Sequence, residues 1–155
     1  NWSTKTLKKE KVTLKLGELT LDLSMDIPDG FAQEKRRAGP GHVAFVDPSK
    51  KVVSTPRIVL LLTRGEVPSL AKALSRSRIG KKMVVKKQES KGTRGYLVVY
   101  HTRKKGLLYV KYYLNERGHI LECRASLIKS GGISQFETAA GRLEKICTSI
   151  AVNTR

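Results

Sequence analysis

The chain has 155 residues, 39% of them hydrophobic, which is enough to bury a core and excludes a wholly disordered polypeptide. Its 31 Lys and Arg against 13 Asp and Glu leave a formal charge of +18, which disfavours cationic ligands and points to an anionic neighbour. The longest apolar run, Ile58 to Leu62, is far shorter than the roughly 20 residues of a membrane-spanning helix.

The chain begins Asn1-Trp2 with no Met, the pattern of a mature protein, of a lipoprotein body cut behind its anchor, or of a trimmed chain. Val12 to Ile27 alternates apolar and polar residues, and the phase slips by one at Gly17-Glu18. That slip predicts two strand segments joined by a tight turn or a bulge. Pro28-Asp29-Gly30 stops the second segment, because Pro cannot donate to a ladder and Asp-Gly favours a turn. A polar, basic connector runs from Gln33 to Gly41, followed by a short strand over His42 to Val46 and a turn at Asp47-Pro48-Ser49-Lys50. Arg57 to Thr63 is apolar on both faces and reads as a central strand.

Pro68 to Ser77 switches to helical spacing, with Pro68 at the first helical position and Leu70, Ala73 and Leu74 as the buried stripe. Lys82 to Gln88 returns to strand character, and the loop Glu89 to Gly95 leads into a meander spanning Gly95 to Leu127. In the middle strand of that meander Leu108, Val110, Tyr112 and Leu114 share one face, and Leu107, Tyr109, Lys111 and Tyr113 share the other. In the third strand Leu121, Cys123, Ala125 and Leu127 form a dry face, with Glu122, Arg124 and Ser126 on a wet one. Gly131-Gly132 precedes a last helix, which an S-x-x-E capping box, Ser134 and Glu137, would start. Its apolar stripe is Phe136, Ala139, Ala140, Leu143, Ile146, Cys147 and Ile150. The expected fold is therefore a single α+β domain over residues 1–155: an antiparallel sheet covered by two main helices, an α/β sandwich.

Leu23 to Phe31 (LSMDIPDGF) adds a resemblance. A strand ending in a Pro-Gly-aromatic turn, a mid-chain helix, an antiparallel meander and a C-terminal helix resemble the PsbP-like fold group. That group includes the extrinsic PsbP subunit of photosystem II, a Ran-binding transport factor and DcrB-type envelope lipoproteins. The resemblance covers most of the chain in element order and implies a binding or assembly module, with no catalytic residues to carry over. The basic excess and the long connector after Phe31 depart from the pattern.

Residue chemistry points the same way. His101 ends the first meander strand near Leu107 and His119 begins the third near Leu114, so the two lie at opposite ends of the sheet and share no metal. His42 has no carboxylate or histidine at ligand spacing, and no nucleophile elbow or zinc-binding helix motif occurs. Cys123 lacks an adjacent base. The Gly92 to Gly95 loop resembles a phosphate loop only in composition, since it joins two strands. Tyr96, Tyr100, Tyr109 and Tyr113 could form a base-stacking platform, or serve as cross-strand sheet pairs hidden under a helix. No cofactor, metal or catalytic residue is expected.

Cys123 and Cys147 both face the core, which suits either a disulfide or two buried thiols. If residues 82–88 and 95–102 form a hairpin, Arg76, Arg78, Lys81 and Lys82 approach Arg103, Lys104 and Lys105 at one rim of the sheet. That basic rim is the candidate binding surface; the alternative is a set of long side chains splayed into water. The functional expectation is a non-enzymatic protein-binding domain, periplasmic or secreted, that engages an acidic protein. The partner could be a toxin or effector, with this chain as an immunity or accessory factor of a bacterial secretion system. A nucleic-acid-binding domain and a peripheral protein on anionic lipid are the alternatives.

Overall fold

The computed structural model describes residues 2–34, 39–50, 55–104, 106–128 and 133–153, with the backbone alone at 133–135. Lys105, Gly131-Gly132 and the Ser134 side chain of the expected capping box lie outside the described residues.

After a 3-10 turn at Trp2–Thr4, β1 (Leu7–Leu16) and β2 (Leu19–Pro28) form a hairpin in unbroken register from Leu16↔Leu19 to Leu7↔Pro28. Gly17, at φ +58°, turns the chain between them, in the left-handed region that glycine enters without penalty. The phase slip in the sequence is thus a turn. β3 (Ala32–Gln33), β4 (His42–Val46) and β5 (Arg57–Arg64) follow, then α1 (Leu70–Arg76). The meander consists of β6 (Met83–Lys91), β7 (Gly95–Thr102), β8 (Leu107–Glu116) and β9 (His119–Ile128), and the chain closes with α2 (Ile133–Thr148) and β10 (Ala151–Val152). The large sheet has the order β3-β4-β5-β9-β8-β7-β6, and a small sheet has the order β1-β2-β10. Each strand pair is antiparallel.

The expected α+β arrangement of antiparallel strands and two helices is present, with two sheets in place of one. One face of the large sheet is covered by α2 together with the small sheet, which shares its core with that face. Leu14, Leu21, Leu23, Met25 and Ile27 of the hairpin meet Ile58, Leu60, Leu108, Val110, Leu121 and Cys123 of the large sheet and Phe136, Leu143 and Ile146 of α2. The alternation of β1 and β2 buries one face of the hairpin and leaves the other to water, so the hairpin behaves as a lid layer.

The opposite face holds a smaller core in which Ala73 of α1 meets Tyr96, Val98, Tyr100, Tyr113 and Ile120. Ser69, whose side chain accepts from the Lys72 amide, caps α1, so Pro68 lies before the cap rather than at the first helical position. At 7 residues α1 is only about 10 Å long, while seven strands at about 4.8 Å spacing span roughly 29 Å. It packs chiefly on β6 and β7 and leaves the β5 side of that face only partly covered. Leu61 of the doubly apolar β5 is accordingly only half-buried.

β6 continues through Glu89, Ser90 and Lys91, so the expected loop is a shorter turn at Gly92–Arg94. A bulge between Val85 and Lys87 lets consecutive lysines reach α2: Lys86 pairs with Glu137, and Lys87 with Glu144 at 2.7 Å. α2 begins at Ile133, which puts Ser134 inside the first turn. Cys123 on β9 and Cys147 on α2 form a disulfide, with Cα atoms 5.6 Å apart.

Candidate functional site

The basic rim gathers at the end of the β6–β7 hairpin. Met83 pairs with Thr102, and one step beyond that the Arg103 amide donates to the Lys82 carbonyl at 3.0 Å. The Arg103 guanidinium folds back, Nε donating to the Lys81 carbonyl at 3.2 Å. Arg103 therefore stands beside Lys81 and Lys82, with Lys104 next in chain. Arg76 and Arg78, expected to approach Arg103, lie at the C-terminal end of α1 and turn elsewhere: Arg76 reaches Thr63 on β5, four strands from β6, and Arg78 acts on Lys111 of β8. From there Ile79 and Gly80 lead directly to Lys81, and Ile79 packs into the smaller core. Arg76, Arg78, Lys81, Lys82, Arg103 and Lys104 are all exposed, and none forms an ion pair among the described residues.

Other cations, Lys9, Lys11, Lys15, Lys72 and Lys145 among them, are likewise without an ion pair among the described residues. The acids are drawn to other cations: Glu34 takes a bidentate pair from Arg57 at 3.0 Å, Asp29 meets Lys8, and Glu116 faces Arg94 and Arg117. The Arg57 hydrogen bonds hold the Glu34 carboxyl below the usual carboxylate range, outweighing the opposing effect of burial. Arg76 has only a neutral partner, donating from Nη2 to Thr63 Oγ1 at 3.0 Å.

Between α1 and the uncovered part of the sheet lies a groove of about 880 Å³ that the sequence reading did not find. Its charged lining is Lys72, Arg76, Arg78, Lys111 and Arg124 against Glu66 and Glu122. Arg78 follows the C-cap residue Ser77 with φ +54°, a left-handed position that glycine ordinarily fills at a helix end. Holding an arginine there costs roughly 1–2 kcal/mol relative to ordinary helical backbone. Lys111, alternating with Tyr109 and Tyr113 on β8, is 8% exposed. Its Nζ donates to the Ser77 carbonyl at 3.2 Å and lies 5.5 Å from the Tyr100 ring centre. Burial holds this ammonium below the ordinary lysine range; Glu122 opposes the shift, while Arg124 and Arg78 reinforce it.

Ser77 is the hub beneath the groove. Its hydroxyl donates to the Ala73 carbonyl at 2.9 Å and lies 2.9 Å from the Tyr113 hydroxyl, and its carbonyl also accepts from Tyr100 at 3.4 Å. Burial raises the Tyr100 phenol to about 12 and pushes Tyr113 up as well. Tyr96, Tyr100 and Tyr113 are buried beneath α1, and Tyr100 stacks on Tyr109 at 5.0 Å, so these rings are sheet pairs and offer no open stacking platform. Glu122, expected on a wet face, is 5% exposed and bonded to Arg124 at 2.7 Å. An acid can stay buried there because the guanidinium satisfies it.

The histidines stay apart. His101 pairs with Leu108 and His119 with Glu116, each one or two residues from its expected partner and roughly 26 Å apart along β8. His101 donates from Nδ1 to the Thr102 carbonyl at 2.6 Å and meets Phe136 edge-on. Among the described residues no group of three or more His, Cys, Asp or Glu could hold a metal. In the Gly92–Gly95 turn, Gly92 adopts φ +68°, and a Cβ at Gly95 would lie 2.5 Å from the Lys91 carbonyl oxygen. Both glycines serve the hairpin. No described helix is long and apolar enough to cross a membrane.

No protein-family model and no curated protein sequence matches this chain. Solved structures do. The chain is similar to cyanobacterial PsbP (CyanoP) from Synechocystis sp. PCC 6803, at 12% identity and a TM-score of 0.57, over 96% of this chain and 93% of that one. It is also similar to LpqN of Mycobacterium tuberculosis, a protein involved in cell envelope biogenesis, at 13% identity and a TM-score of 0.54, over 96% and 92% of the two chains. At such identities the likeness is one of architecture, and the architecture is the one that Leu23–Phe31, the meander and the last helix suggested: this chain has a PsbP-like fold.

Proposed function

We propose that this chain is a non-enzymatic, extracytoplasmic binding domain whose basic rim engages an acidic protein. The observation that carries this reading is the set of six exposed cations, Arg76, Arg78, Lys81, Lys82, Arg103 and Lys104, that form no ion pair among the described residues. Like charges held together repel, and an acidic partner relieves that repulsion while steering encounter. Lys105 follows Lys104 in the sequence and lies outside the described residues. The disulfide supports an oxidising compartment, periplasmic or secreted, and the likeness to LpqN is in keeping with an envelope setting. The most specific form of the reading is an immunity or accessory factor of a bacterial secretion system, occupying an acidic toxin or effector.

The test is association kinetics with an acidic protein encoded beside this chain's gene, where one is found, for the parent and for Arg103→Glu/Lys104→Glu. The charge reversal is expected to slow association about tenfold at low salt and to flatten its salt dependence. Unchanged association would remove the rim from the interface. Tight binding of random DNA with a steep loss in salt would favour the nucleic-acid alternative.

A further inference from the structure

We propose that the groove beside α1 is a binding site for a phosphorylated small ligand, its phosphoryl group held by Lys111 on the floor and Arg78 and Arg124 on the walls. The groove shares Arg76 and Arg78 with the rim but has its own floor at Lys111, so Lys111→Met and Arg103→Glu/Lys104→Glu separate the two readings.

Lys111 is the telling residue. A buried ammonium needs a counter-ion, yet Lys111 forms no ion pair among the described residues, and one carbonyl, that of Ser77, is its hydrogen-bond partner. Glu122 is near enough to be felt but is bonded to Arg124. Two of the three Nζ protons are thus uncommitted to protein acceptors. The neighbours of Lys111 on its face are Tyr109 and Tyr113 along β8 and Val98 and Arg124 across it, so packing alone does not call for a second cation beside Arg124. Arg78 repeats the theme, since it occupies a left-handed backbone position where glycine would be unstrained.

The charge sum selects the ligand class. Lys72, Arg76, Arg78, Lys111 and Arg124 against Glu66 and Glu122 leave 5 − 2 = +3 on the groove lining. A dianionic phosphoryl group matches that excess better than a single carboxylate, and guanidinium forks match its oxygens in pairs. The volume of about 880 Å³ falls within the roughly 300–1,000 Å³ of small-molecule sites and exceeds what a bare phosphate fills. The phosphoryl group can belong to a free molecule or to a lipid headgroup.

The experiment titrates inorganic pyrophosphate, and separately vesicles of phosphatidylcholine with and without phosphatidic acid, whose phosphate is a monoester, into the ¹⁵N-labelled chain at about 150 mM salt, where surface charge is screened beyond about 8 Å. Saturable pyrophosphate shifts are expected at Ser77, Arg78, Lys111 and Arg124. Lys111→Met should weaken binding about tenfold, the loss of one buried charge contact. Arg78→Gly should weaken it several-fold with the melting temperature held or raised, because glycine accepts the same backbone angle without strain. Arg103→Glu/Lys104→Glu should leave pyrophosphate binding within about threefold, since screening isolates the rim. Vesicle capture that needs phosphatidic acid and is lost in Lys111→Met assigns the headgroup as the source. Pyrophosphate binding without vesicle capture assigns a free phosphorylated molecule. No saturable response to either probe, or equal affinity in the parent, Lys111→Met and Arg78→Gly, overturns the proposal while leaving the rim reading intact.

Discussion

Replacing both Cys123 and Cys147 with alanine removes the covalent tie between β9 and α2 at the centre of the larger core. The sequence separation is 24 residues, and releasing a loop of that length raises the entropy of the unfolded chain by an amount worth about 3.5 kcal/mol. Both cysteines are fully buried, so the lost sulfurs also leave small voids that add about 1–2 kcal/mol. For a chain of this size each kcal/mol moves the melting temperature by about 2–4 °C, so the double variant should melt at least roughly 7–14 °C lower. Urea unfolding at neutral pH, with circular dichroism and tyrosine fluorescence as coincident probes, measures the loss directly. Thiol titration of the parent in denaturant without reductant supplies the companion number, expected to be zero free thiols. Two titratable thiols in the parent, or a double variant within about 1 kcal/mol of it, would refute the reasoning. The same result would take away the main support for an oxidising compartment.

Ser77→Ala strips the hydroxyl that contacts Ala73 and Tyr113, leaving the fully buried Tyr113 phenol without that partner; a loss of about 1–3 kcal/mol is expected in urea unfolding, and Tyr113→Phe should be milder. Lys111→Met should be no less stable than the parent at neutral pH. The folded-state pKa of Lys111 is depressed, so its charged form opposes folding below that pKa, and any gain from methionine should shrink as pH rises toward the ordinary lysine value. A destabilisation above about 1 kcal/mol would mean that the bond to Ser77 outweighs the desolvation. Asp47, 5% exposed, is held below the usual carboxylate range chiefly by the Ser49 hydroxyl, with the Ser49 amide and Lys5 assisting and burial opposing. A depressed folded-state value contributes stability that is present above the unfolded carboxylate range, about 3.9, and is lost as pH falls through the folded value. Asp47→Asn should therefore flatten the acid limb of a stability–pH curve, and an unchanged limb would contradict the assignment.

Local periodicity determined much of this protein in advance. The two-residue alternation from Val12 to Ile27 can only sit as strands with one buried side, and the Gly17 slip can only be a turn there. The faces of β8 were legible for the same reason: Leu108, Val110 and Tyr112 entered the larger core, and Tyr109 and Tyr113 the smaller. The steps of three and four in α2 brought Cys147 to the side that meets Cys123, although pattern alone left disulfide and free thiols equally open. Other features have no local signature. β3 and β10 are two residues each, too short to carry a period, so their pairing is decided by the strands they reach. That the β1–β2 hairpin forms a separate layer depends on long-range packing, since its alternation would suit an added strand of the large sheet equally well. The groove is the clearest case. It exists because α1 is short and is held toward β6 and β7, with Asn115 gripping both the amide and the carbonyl of Val67 at 2.8 and 2.7 Å. Neither that grip, across 48 residues of chain, nor the burial of Lys111 beneath the end of α1 leaves a mark on sequence spacing, because each depends on where a two-turn helix comes to rest on a seven-stranded sheet.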